Sequence, residues 1–311
     1  MRKTCHICLS SHNEVMFRDE ADLNRGFNAL AVAVLETDSR LLCESFTTTH
    51  YHGLLQTDCP EEVIYRTRYA HARYFNSRHE RKGRLGEKRA FILPIEGFHH
   101  TMAALNYVSR QGLHHGLSAS AFGYEHCSVR AFFQNELGRH SPELLMPDGQ
   151  RYKYLPQDKT VPTSYRMNAS GLLLREDIVD TAQVEAIYAT ARNFLYQMNR
   201  IGDEFNLKEQ KEESSPTPLI TMAVMEPSYS EEQISQLIQN QSGRYNPTYI
   251  SDLELCRLID GACIPKYFKE KTLYGLSVSQ REWLCNLLWK NLWPRLHKRT
   301  SAAQLKRCLW L

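Results

Sequence analysis

Apolar and polar side chains alternate from Lys3 to Ser10, the period of a strand with one covered face. After a polar approach, Met16-Phe17-Arg18-Asp19-Glu20-Ala21-Asp22, the spacing becomes helical. Leu23, Phe27, Leu30, Ala31 and Val34 carry one stripe up to Glu36, and Thr37-Asp38-Ser39 breaks it. Two strands are expected next, over about residues 41–46 and 49–56, where β-branched and apolar residues concentrate. Pro60-Glu61-Glu62 opens a long helix to about Arg78, because proline suits a first turn and acids suit the positive end of a helix. A fourth strand, about Arg89 to Leu93, leads into a helix that holds Tyr107 and ends near Gly112. This order of elements, with short loops, points to an α+β domain over residues 1–135, its helices packed on an antiparallel sheet.

Beyond it the pattern changes. Residues 136–170 are polar and rich in Pro, Gly and Tyr, and read as irregular or hairpin structure. Asp180-Thr181-Ala182-Gln183 has capping-box spacing, and Val184, Ile187, Tyr188, Ala191, Leu195 and Met198 form one stripe, a single helix ending at Gly202. Lys208 to Pro218 is charged, poor in apolar residues and broken by proline, so it reads as a linker and closes an extension over 136–218. The remainder, 219–311, is expected to be mainly α-helical. It ends in two helices started by Ser277 and Ser301, with Pro294 to Thr300 between them.

Composition adds limits. The 311 residues are 42% hydrophobic, enough for a sizeable core. The start, Met1-Arg2-Lys3-Thr4-Cys5-His6, has no apolar run for a secretory signal, and nowhere do 18 uncharged apolar residues stand together, so a cytoplasmic protein without a membrane span is expected. Nine scattered cysteines do not form a disulfide framework. Cys5 and Cys8 read as small apolar strand residues, with zinc the lesser alternative since no second pair lies near.

Charge is nearly balanced overall, 38 basic against 35 acidic residues, yet it is clustered. Between Ile64 and Ile92 nine Lys and Arg face two Glu, with Tyr65, Tyr69, Tyr74 and Phe75 interleaved. Arg66, Arg68, Arg73, Arg78, Arg81, Lys82 and Arg84 are therefore candidates for nucleic-acid contact, since guanidinium groups follow phosphates and aromatic faces accept unpaired bases. The competing reading is a solvated basic helix whose aromatics face the core. From Leu276 to Leu311 seven basic residues face Glu282 alone, and a short helix preceded by Lys298 and Arg299, carrying Lys306 and Arg307, has the form of a DNA-reading second helix or of an ordinary basic hairpin.

The candidate chemistry lies in Thr47-Thr48-Thr49-His50-Tyr51-His52-Gly53-Leu54-Leu55-Gln56. On a strand His50 and His52 share a face, about 6.5–7 Å apart at Cα, so both rings can reach one divalent ion. Tyr107 and Gln111 stand at i and i+4 of the expected helix, a phenol and an amide oxygen on one side. The bland reading is a pair of ordinary sheet histidines.

An ordered series of segments resembles a known family, the His-hydrophobe-His single-strand DNA transposases with one catalytic tyrosine, and among them the REP-associated tyrosine transposases. The series runs through Met16-Phe17-Arg18-Asp19, Thr49-His50-Tyr51-His52-Gly53-Leu54-Leu55, Arg73-Tyr74-Phe75-Asn76, Gly83-Arg84-Leu85-Gly86 and Asn106-Tyr107-Val108-Ser109-Arg110-Gln111-Gly112-Leu113. Many members continue with Asn-Pro after the tyrosine helix, where this chain has Gln111-Gly112. The resemblance implies a ferredoxin-like sheet with packed helices and a Mg²⁺ or Mn²⁺ ion held by His50, His52 and Gln111. It also implies nucleophilic attack by Tyr107 to give a 5′-phosphotyrosyl intermediate and a free 3′-hydroxyl. Single-stranded or hairpin DNA is the implied partner, in a bacterial, nucleoid-associated protein that could act as a homodimer. The alternatives are a non-catalytic DNA-binding protein or repressor derived from such a transposase, and a replication initiator or relaxase. Initiators often carry a helicase module, and no Gly-x-x-x-x-Gly-Lys motif is present.

Overall fold

The computed structural model describes all residues except 1, 12, 140–143, 201–203, 228, 241–248, 270 and 297–299. Its first elements are β1 (Lys3–Ser10), α1 (Glu20–Glu36), β2 (Arg40–Phe46), β3 (His50–Thr57), α2 (Pro60–His79), β4 (Phe91–Ile95), α3 (Phe98–Ser109) and a short α4 (Gln111–His114). The four strands pair antiparallel in the order β2-β3-β1-β4. The class is α+β, as the alternation of patterns requires. Pro94 lies in β4 at the sheet edge, where a missing N–H costs no ladder bond.

Local chemistry sets the ends of these elements. Asp19 caps α1 by accepting from the Asp22 N–H at 3.0 Å. The flanking residues of the same segment do other work: Met16 and Phe17 are buried in the core, and Arg18 is 1% exposed. Pro60 stands in the first turn of α2 with Glu61 and Glu62 beside it.

Pleating sorts the side chains. Phe46 and Tyr51 stack at 5.0 Å on one face of the sheet, and Phe17 and Phe27 meet Phe46 edge-on. α1 and α2 cover this face, and burying a ring such as Phe27 contributes roughly 1.5–3 kcal/mol. On the other face Cys43 of β2 lies 3.6 Å from Ser109 of α3. Cys5 and Cys8, three apart on β1, point to opposite faces and cannot jointly hold zinc; none of the nine cysteines is in a disulfide.

The rest of the chain adds α5 (Thr181–Tyr188), α6 (Ala191–Asn199), α7 (Glu204–Glu212), α8 (Met222–Met225), α9 (Glu231–Asn240), α10 (Asp252–Leu258), α11 (Ile264–Phe268), α12 (Val278–Leu296) and α13 (Ala302–Leu309). The single helix expected from Val184 to Gly202 is two, because Ala189 takes φ +63° and Thr190 caps a new start at the Asn193 N–H; Gly202 lies outside the described residues. The stretch expected as a linker is packed instead. Lys208 to Glu212 belong to α7, and Glu213 accepts the N–H groups of Phe98, His99 and His100 at the start of α3 (2.6, 3.1 and 3.2 Å) and pairs with His100 Nδ1 at 2.8 Å. A carboxylate there meets the positive end of the tyrosine helix. Gly97, at φ +103°, leaves the space, since a Cβ would collide with that carboxylate.

Two apolar clusters result. The larger joins the sheet to residues as far as Leu237, and a smaller one gathers Ile250, Leu255, Leu284, Leu305 and Cys308 with Val15. Arg18 also ties the last helices to the sheet, donating to both Asp260 oxygens at 2.6 and 2.9 Å and to the Cys308 carbonyl at 2.9 Å. No helix among the described residues is long and apolar enough to cross a membrane.

Glu213→Ala should lower stability by about 1 kcal/mol, the usual worth of an N-terminal cap, read as the urea midpoint, with faster amide exchange at residues 98–100. An unchanged midpoint would show that α3 needs no such cap.

Candidate active site

β3 places His50 opposite Ser10 and His52 opposite Cys8, with Ser45 of β2 on the other side of His52. Both imidazoles face α3, and their rings are 4.9 Å apart. Each is held at one nitrogen and aimed with the other. His50 Nδ1 lies 3.0 Å from both Thr47 Oγ1 and Thr49 Oγ1, while Nε2 faces Gln111 Oε1 at 3.3 Å. His52 Nδ1 contacts His6 Nε2 at 2.9 Å, and Nε2 faces Glu226 Oε1 at 3.2 Å. Metal-binding histidines are oriented in this way, by a hydrogen bond at the nitrogen that does not ligate.

Tyr107 and Gln111 are not on one continuous helix. α3 stops at Ser109, and Arg110 sits at the break with its guanidinium donating to the carbonyls of Gln197 and Met198 at the end of α6. Gln111 nevertheless comes under the tyrosine, its Nε2 3.4 Å from the Tyr107 carbonyl. The phenol ring stands perpendicular to His52, centroids 5.3 Å apart, and its hydroxyl donates a short hydrogen bond to Glu226.

Glu226 was not legible in the sequence. It lies 119 residues beyond Tyr107, just after one-turn α8, in a context with no motif. Yet His50, His52 and Glu226 offer ligand atoms that all lie within 4.8 Å of one another, with Gln111 Oε1 beside them. Apart from Glu226 Oε1 at 3.2 Å, buried His52 Nε2 meets no polar partner among the described residues, a position that a cation shared with the carboxylate would suit. Two imidazole nitrogens, a carboxylate and an amide oxygen are a donor set that fits a divalent ion.

The surroundings are dry. His50, His52, Tyr107, Gln111 and Glu226 are each at most 5% exposed. Burial, with His115 adding to it, holds His52 neutral with a pKa of about 3, and His50 is lowered well below 6.5 by burial, then by His115 and His52. Burial first, and Glu226 second, push the Tyr107 phenol up. His115, its ring 4.8 Å from His50, connects this cluster to an open groove of about 570 Å³ lined also by Thr48, Thr49, Tyr229, Asp252 and Arg307.

Of the basic candidates, Arg66, Arg73 and Arg78 line one groove on the outer surface of α1 and α2, and the others lie elsewhere. Arg66 pairs with Glu36 and Glu62, and Arg78 with Asp19 and Asp22. Arg81 is buried against Glu14 at 2.6 Å and beneath the Trp310 ring, so it serves packing. Arg68 donates to the Lys88 carbonyl, and Arg73, Lys82, Arg84 and Lys306 are exposed. Arg307 is paired with Asp252 at 2.9 Å, which also accepts from Thr48, and Lys298 and Arg299 lie outside the described residues.

Imidazoles buried neutral make the fold acid-sensitive. His71 and His114 are lowered below 6.5, mainly by burial, so the unfolded chain takes up protons first as pH falls. Stability should be level above about pH 7 and decline as pH drops from 6.5 toward 5; a urea midpoint that rises over that window would contradict the neutral assignment.

No protein-family model matches this chain, and no curated protein matches it. Among solved structures, a REP-associated tyrosine transposase bound to a REP hairpin is similar at a TM-score of 0.35 and 11% identity, over 45% of this chain and 82% of that one. At that similarity neither fold nor activity is transferred.

Proposed function

We propose that this protein is a metal-dependent DNA strand transferase that nicks and rejoins single-stranded or hairpin DNA through Tyr107. The observation that supports it is convergence: a phenol, two oriented neutral imidazoles, an amide oxygen and a carboxylate, from three separate stretches of chain, meet in one buried cluster. The strand order β2-β3-β1-β4 across two βαβ-like halves supports reading the sheet as ferredoxin-like.

In this reading His50, His52, Glu226 and Gln111 hold Mg²⁺ or Mn²⁺, which when bound polarises a phosphodiester oxygen and lowers the phenol's proton affinity. Tyr107 Oη attacks phosphorus, the new P–O bond forms as the P–O3′ bond breaks, and the phenolic proton passes to the Glu226 carboxylate, which already accepts its hydrogen bond. The 3′-oxygen leaves and takes a proton from water. Reverse attack by a 3′-hydroxyl rejoins the strand without ATP, because the phosphodiester energy is kept in the tyrosyl ester. Substrate approaches along the groove at His115, and Ile220–Met222, which line a small pocket with Tyr107, have to move aside for phosphate to reach the phenol while Glu226 keeps its contact with it.

That closure is what favours the second reading, DNA binding without cleavage. A denaturing-gel assay with Mn²⁺ and labelled hairpin oligonucleotides separates the two. A covalent protein–DNA adduct is expected, absent in Tyr107→Phe and reduced at least a hundredfold in His50→Ala; hairpin binding with no adduct from the unaltered protein selects the second reading. Glu226→Ala should weaken Mn²⁺ binding, followed by paramagnetic resonance, about tenfold or more. Equal Mn²⁺ affinity would remove Glu226 from the ligand set.

A further inference from the structure

The sheet face opposite the histidines carries a second feature. α1 and α2 cover that face, and between their outer surfaces and the segment Pro156–Lys159 runs a groove of about 980 Å³. Along its α2 wall Tyr65, Tyr69 and Arg73 recur every fourth residue, so they stack in a row with a rise of about 6 Å per step. The two tyrosine rings are nearly parallel, 18° apart with centroids at 6.0 Å, and they are 61% and 53% exposed. Arg73 lies over Tyr69 at 5.5 Å, and Tyr74 is flanked by Arg25 at 4.9 Å and Arg78 at 6.0 Å.

Tyr65 and Tyr69 form a contiguous exposed aromatic patch, and such patches mark sites of interaction. The charge of the groove points to the kind of partner. Its two acids are already neutralised, Glu36 by Arg66 and Lys159 and Glu62 by Arg66. Arg25 and Arg73 have no acidic partner among the described residues; Arg25 donates to the Lys153 carbonyl and Arg73 to the Gln157 side chain. The groove therefore presents exposed tyrosine rings, Tyr69 between Tyr65 and Arg73, beside guanidinium groups without acidic partners, which is the chemistry that takes unpaired bases with their phosphates and takes duplex poorly.

We propose that this groove is a separate binding site for single-stranded DNA of about three nucleotides, with bases on Tyr65 and Tyr69 and phosphates against Arg25 and Arg73. It is set apart from the histidine cluster by the thickness of the sheet and its helices, and it does not depend on cleavage by Tyr107. Its function is to hold a strand, not to react with it.

The test uses the full chain in EDTA with fluorescein-labelled oligo-dT of 12 nucleotides, followed by anisotropy at two salt concentrations. Tyr65→Ala with Tyr69→Ala should weaken binding at least tenfold, and Arg25→Ala with Arg73→Ala should lower the salt slope by about 1.4, whereas Lys208→Ala, an exposed position outside both grooves, binds as the unaltered protein does. Photo-crosslinking of the unaltered protein to 5-iododeoxyuridine-substituted oligonucleotide should map to Tyr65 or Tyr69, which locates the site without any variant. Undiminished binding by the tyrosine pair variant, crosslinks confined to the groove at His115, or equal affinity for duplex overturns the proposal, and a tenfold preference for oligo-U overturns DNA as the occupant. Loss of the covalent adduct with this binding intact would count against the strand-transfer reading alone.

Discussion

Side chains two apart on a strand share a face, and in β3 that alternation sends His50 and His52 toward α3 and Tyr51 toward α1 and α2. Everything chemical in the molecule follows from this division. A slip of one residue in the pairing would exchange the faces, burying imidazoles among Phe17, Phe27 and Phe46 and putting Tyr51 where Gln111 and Glu226 now converge. The register is fixed on both sides, by eight pairs with β1 and by β2 across the bulge near Cys43, so the histidine strand is the central member of a locked ladder.

Around that strand the electrostatics are consistent with a cation and poorly balanced without one. Burial removes the option of charge from His50 and His52, and it raises the phenol of Tyr107. Glu226 brings a carboxylate into the same buried space, 3.2 Å from Nε2 of His52. A negative charge placed among neutral imidazoles and a reluctant phenol is costly unless something positive shares it. The hydroxyl of Tyr107 satisfies part of this need by donating, and a divalent ion would satisfy the remainder.

The sheet half of this arrangement could be read from residue order. Thr47-Thr48-Thr49 before His50 announced the strand, Asp19 and Pro60 announced helix starts, and the resemblance picked out Tyr107 and Gln111. What escaped depends on contacts between distant parts of the chain. The break at Arg110 answers carbonyls at the end of α6, the stretch from Lys208 folds because Glu213 caps α3, and the kink at Ala189 sits inside an unbroken apolar stripe. His6, on a strand that read simply as alternating, proves to orient His52. Glu226 is the clearest case, since nothing local in Met225-Glu226-Pro227 distinguishes it from any loop acid. Composition also could not show which basic residues are paired: Arg81 meets Glu14 and Arg307 meets Asp252.

The placement of the two grooves constrains how a strand could be handled. One opens beside His115 on the α3 side; the other lies on the outer surface of α1 and α2. A sheet with a helix layer on it is about 10 Å from axis to axis and each helix about 10 Å across, so the two floors are roughly 20 Å apart even before the path bends around an edge. A single strand engaged at both must therefore bridge at least about six nucleotides at the stacked rise of about 3.4 Å. The intervening bases would pass the sheet edge unpaired. Such a path admits a single strand leaving a hairpin stem and refuses a continuous stiff duplex, so the separation of the grooves would itself select the form of the substrate.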